Sequence, residues 1–138
     1  MSEQRRRQQQ GQVLVMSAAV MAFLFVPLCV FVIDTGLVAA SYAQLGETLQ
    51  AAAEDGASSI DQNAYRSTNG QQVTLDAPCA QQTADRSLHV SGMPGLQSWT
   101  VEVKGNTVTT TGVVKLPLLV LGTASLKESR SASFAYGQ

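Results

Sequence analysis

An uncharged apolar run at residues 13–33, 21 residues in all, constrains this chain more than any other feature. As a helix rising ~1.5 Å per residue it spans ~31 Å, which matches a hydrocarbon core of ~30 Å. Arg5, Arg6 and Arg7 stand just before the run and Asp34 directly after it. That excess of basic residues on the N-terminal side predicts a cytoplasmic N-terminus, with the rest of the chain outside. The rival reading is a cleaved signal peptide, for which residues 38–40 or 41–43 offer small side chains. Signal cores, however, run to only ~7–15 apolar residues. Cys29 follows bulky Leu28 and so reads as a small hydrophobe within the span, not as a lipid anchor. Pro27 removes one helical hydrogen bond and predicts a mild kink.

The chain therefore divides into a basic cytoplasmic stub (1–12), a transmembrane helix (13–33) and an exported domain (34–138). Only 14% of its 138 residues are charged, against ~25% in average soluble proteins. Residues 1–33 carry a net +2 and residues 34–138 a net −3. An acidic exported part with scattered Lys and Arg has no basic stripe to track phosphates, which argues against a nucleic-acid partner. Of the two cysteines, Cys29 falls in the apolar run and Cys79 in the polar domain, so both are expected to be free within the chain. Pairing of Cys79 between chains stays open.

The helical signal continues past the bilayer. Leu37, Ser41, Leu45, Leu49, Ala52, Gly56 and Ile60 recur at three- and four-residue spacing, which predicts one helix from about Gln12 to about Ile60. Its small-residue stripe is expected to pack on the chain's own domain, although a neighbour's helix would fit the same stripe. Residues 61–75 are polar, carry Asn69-Gly70 and read as a loop. Asp76 then reads as the N-cap of a short helix to about Leu88, with Pro78 in the first turn and Ala80, Thr83, Ala84 and Leu88 inward. Cys79 lies beside that face and is expected to be buried.

Trp99, Val101 and Val103 alternate with polar residues, and Gly105-Asn106 offers a two-residue turn of the II′ kind. Residues 107–114 return as the partner strand. Residues 116–121 are too few to span a membrane, and Pro117 argues against a regular interior strand. They either plug the core or lie exposed on a bilayer surface or a partner subunit. A last strand over residues 124–134 places Leu126, Ala132 and Phe134 on one parity, with Glu128 and Arg130 breaking the pattern. The predicted fold class is α+β: a long N-terminal helix, a short second helix and a small antiparallel sheet of about three strands.

Chemistry-bearing constellations are sparse. His89 is the single histidine, with no Cys or carboxylate at ligand spacing, and neither a phosphate loop nor a nucleophile elbow occurs. Glu54, Asp55 and Glu102 read as solvated charges. Asp34 reads as a carboxylate at the outer membrane edge with a structural role. The expectation is a non-enzymatic protein with no cofactor, metal or small-molecule substrate.

Several segments, taken in order, resemble the TadE/TadG-like family of tight-adherence (Flp) pilus-assembly proteins. They are the basic stub, Gly11-Gln12-Val13-Leu14-Val15, Asp34-Thr35-Gly36, Leu49-Gln50-Ala51-Ala52-Ala53 and Asp55-Gly56-Ala57. Val73-Thr74-Leu75-Asp76, the hairpin at 101–114, Leu116-Pro117-Leu118-Leu119 and the Ser/Ala-rich terminal strand extend the similarity over nearly the whole chain. The resemblance implies a pilin-like fold and a minor pilin-like or pseudopilin-like role in assembly, secretion or adhesion. Its partners would be membrane lipid and other pilus-assembly subunits. It further implies possible cleavage by a prepilin peptidase between Gly11 and Gln12, which would put Met16 fifth, where such substrates usually carry glutamate. A cleaved and an intact stub both stay open. The alternative function is a membrane-anchored cell-surface binding domain unrelated to pili.

Overall fold

The computed structural model describes residues 2–71, 73–119 and 122–134, with side chains from residue 13 onward. Its first element, α1 (Ser2–Ala57), is one continuous helix of 56 residues. It starts earlier than the predicted Gln12 and stops three residues short of Ile60. The stub contains no proline or glycine before Gly11 and is rich in Gln and Arg, both good helix formers, so nothing in it stops the helix. Pro27 lies inside the helix without interrupting it. At the far end Ser58 and Ser59 close the last turn onto the carbonyls of Glu54 and Gly56, at 3.0 and 3.1 Å.

Residues 61–75 are not a simple loop. Asp61 caps a six-residue helix, α2 (Gln62–Ser67), by accepting from the amides of Asn63 and Ala64. A polar helix of this length has no room for an apolar period, so only the capping aspartate announces it. Asn69 and Gly70 then turn the chain with positive φ of 51° and 80°, and Ile60 bridges to Leu75. The next helix, α3 (Ala77–Ser91), begins as predicted with Asp76 accepting from the Cys79 amide, and it ends one turn late, at left-handed Gly92. Its buried residues are Ala80, Ala84 and Leu88, while Thr83 is only half-buried.

Three strands, β1 (Leu96–Lys104), β2 (Thr107–Pro117) and β3 (Thr123–Ser133), form an antiparallel meander in the order β1-β2-β3. Lys104 pairs with Thr107 around the predicted turn, where Gly105 adopts φ +59° and supplies the sign that a II′ turn demands first. A register shift between Leu96 and Ser98 brings Leu96 and Trp99 onto the same face. Pro117 closes β2, paired with Thr123, at the strand end where the missing amide does least harm. The structure is therefore α+β, as predicted.

The C-terminal part of α1 and helix α3 cover one face of the sheet. Leu45, Leu49, Ala52, Leu88, Met93 and Val114 form one core cluster; Ala57, Ala80, Ala84 and Val108 form a second. Of the predicted stripe, Leu45, Leu49, Ala52 and Gly56 are buried and Ser41 is half-buried. Leu37 is exposed, and Ile60 lies beyond the helix and is exposed as well. The stripe packs on its own domain because small residues let α1 sit close. A methyl on Gly56 would lie 2.9 Å from the Ala80 carbonyl and 3.1 Å from Val108 Cγ1.

Candidate membrane and partner surface

Along the apolar run, residues 13–29 and 31–33 are all exposed, with Phe23 at 81%, and only Val30 is half-buried. This single helix is long and apolar enough to span a membrane. Its one hydroxyl in the first half, Ser17, donates to the Leu14 carbonyl at 3.0 Å, and Thr35 beyond the run donates to Phe31 at 2.8 Å. Both hydroxyls are thus satisfied inside the helix, so the surface of the run offers neighbours little besides hydrocarbon. Cys29 is exposed on it and unpaired.

Asp34 ends the run. Although it follows Ile33 directly, it is only 2% exposed, and its Oδ1 accepts from the Leu119 amide at 3.0 Å. The structural role expected for Asp34 is this clasp between α1 and the connection from β2 to β3. The connection is itself closed by the Leu118 amide donating to the Gly122 carbonyl at 2.7 Å. The segment 116–121 therefore divides between the two readings given to it. Leu116 packs against the core, whereas Leu119 is 71% exposed; Val120 and Leu121 lie outside the described residues. The side chains of Arg5, Arg6, Arg7 and Gln12 lie outside them too; of these residues and of Gly11 only the helical backbone is described.

The parity break in β3 has a physical basis that sequence spacing missed. Glu128 is buried and ion-paired with Arg130, two positions along the same strand. Both pack against α1 at Gly46, where a methyl would fall 3.0 Å from Arg130 and 3.2 Å from Glu128 Oε1. One carboxylate oxygen, Oε2, accepts no hydrogen bond among the described residues. The adjacent guanidinium offsets the burial of that charge. In the central strand, buried Thr110 donates its hydroxyl to the Leu49 carbonyl of α1 at 2.8 Å. A β-branched strand residue gave no hint of that contact.

The Trp99 indole N–H donates to Asp85 Oδ1 at 2.6 Å, and His89 stands edge-on to the same ring at 5.5 Å between centroids. These contacts tie α3 to β1. Cys79, predicted to be buried, is exposed, because the first turn of α3 directs it away from Ala80 and Ala84. A groove of about 660 Å³ between α1 and α3 is lined by Thr48, Ala51, Asp55, Thr83, Ser87 and Val90. Ser87 donates to Asp55 across it at 2.7 Å. Among the described residues no group of three or more His, Cys, Asp or Glu is placed to hold a metal ion.

The fold and surface define an α+β protein carried on one long apolar helix. No family model, curated protein or solved structure matches the chain.

Proposed function

We propose that this protein is a minor pilin-like or pseudopilin-like subunit of a tight-adherence type pilus-assembly or secretion system, structural rather than catalytic. One observation carries the reading. The same unbroken helix has an N-terminal apolar part that no other described residue buries and a C-terminal part that is the spine of a three-stranded sheet. Such an arrangement suits a subunit that is stored in a membrane by one half and displays a folded head by the other. Residues 13–33 cross the cell membrane in this reading, with Arg5, Arg6 and Arg7 in the cytoplasm and the sheet outside. The apolar helix meets lipid there and, on assembly, the corresponding helices of other subunits.

Deletion of the gene is expected to abolish or shorten pili, and the protein is expected to copurify with the assembly machinery. Unchanged piliation with loss of a surface ligand would favour the membrane-anchored binding domain instead. Intact-mass measurement of the native protein decides between a chain beginning at Gln12, which a filament subunit cut after Gly11 would have, and an intact stub. A chain beginning at residue 41 or 44 would remove the anchor and the proposal with it.

A further inference from the structure

We propose that Leu119, just past the end of β2, is a second membrane contact, its side chain inserted among the lipid acyl chains at the outer edge of the bilayer. The inference rests on the reading that residues 13–33 cross the membrane. If they do, Asp34 marks the level at which the helix leaves the hydrocarbon. The Asp34 to Leu119 hydrogen bond, 3.0 Å long, then fixes Leu119 at that same level. Among the described residues, no other strand connection is hydrogen-bonded to α1 so near the run.

The chemistry around Leu119 suits that depth. The Leu118 amide donates to the Gly122 carbonyl and the Leu119 amide to Asp34. Two donors that would otherwise resist leaving water are therefore already satisfied. The carboxylate of Asp34 is covered and presents no open charge to the lipid beside it. Leu119 is 71% exposed, and Ile33 and Leu37, which flank Asp34 in the sequence of α1, are exposed as well. Lys115, exposed near the end of β2, is the nearest charge before Leu119 in sequence, and a long cationic side chain suits anionic headgroups.

A leucine held there does more than add affinity. A single helix is free to tilt and to rotate about its axis in a bilayer, and a second contact off that axis restricts both. The sheet would then face one direction relative to the membrane, as a head that must dock with neighbours in register requires.

Nitroxide accessibility in the full-length protein, reconstituted in phosphatidylcholine–phosphatidylglycerol vesicles, tests this. Native Cys29, labelled in a Cys79→Ser background, reports the span; Leu119→Cys and Thr123→Cys, each with Cys29→Ser and Cys79→Ser, report the contact and the start of β3. The expected result is that oxygen relaxes the labels at 29 and 119 more strongly than a water-soluble nickel chelate does, with that order weakening or reversing at 123. Nickel dominance at 119 while 29 remains oxygen-dominant would overturn the Leu119 contact and leave the span intact. Nickel dominance at 29 would overturn the membrane reading itself, and the inference with it. Broadening at 119 that grows with the protein-to-lipid ratio would overturn it in favour of a second copy of the chain as the occupant.

Discussion

The amide of Leu119 donates to Asp34 Oδ1 at 3.0 Å, joining a strand connection to a helix residue 85 positions earlier in the chain. Asp34 is nearly inaccessible, so water cannot take its place readily. Replacing Asp34 with Ala should cost about 1.5–3 kcal/mol, the range for losing a hydrogen bond to a charged group. Asp34→Asn keeps an acceptor and should cost less. Hydrogen exchange at the Leu119 amide, faster in the alanine variant than in the asparagine variant, is the direct readout.

Two glycines of α1 should respond oppositely to the same methyl group. At Gly56 the added carbon meets the Ala80 carbonyl at 2.9 Å, and Gly56→Ala should destabilise by about 1–3 kcal/mol through overpacking. At Gly36 nothing lies within 4 Å, and Gly36→Ala should stabilise the helix by about 0.5–1 kcal/mol. Thermal unfolding in detergent, compared across the two variants, checks the difference in sign.

Thr110→Val removes the buried hydroxyl that reaches the Leu49 carbonyl while keeping the shape of the side chain. A loss of about 0.5–1.5 kcal/mol is expected. Thr110→Ser restores the hydroxyl and gives up a methyl, so the two variants separate the hydrogen bond from the packing. Denaturant midpoints for both provide the measurement.

Cys79 should react with a polar maleimide in the folded, detergent-solubilised protein at a rate near that of the unfolded chain, because its side chain is exposed at the start of α3. Cys29, also exposed on the apolar run, should be protected once the protein is in vesicles if that run lies in lipid. Mass spectrometry after timed labelling distinguishes the two sites.

The local elements were written into the sequence where one residue type satisfies a backbone demand by itself. Asp76 capped α3, Gly105 supplied the positive φ of the hairpin, and the unbroken apolar run set the first half of α1. The short helix after Asp61 has no periodic signal because six residues are too few to carry one. The burial of Leu45, Leu49, Ala52 and Gly56 followed their spacing, yet the exposure of Leu37 did not, since spacing assigns a residue to a face without saying how far along the helix its cover extends.

Tertiary structure alone decided the rest. It paired Asp34 with Leu119, buried Glu128 beside Arg130 under Gly46, set Thr110 on Leu49 and turned Cys79 outward. Each of these depends on where a chain returns after tens of residues, a matter of sheet register and helix seating that no local period encodes. The sequence by itself determined the helix, its apolar surface and the hairpin; the packing of the sheet on that helix determined where Leu119 lies.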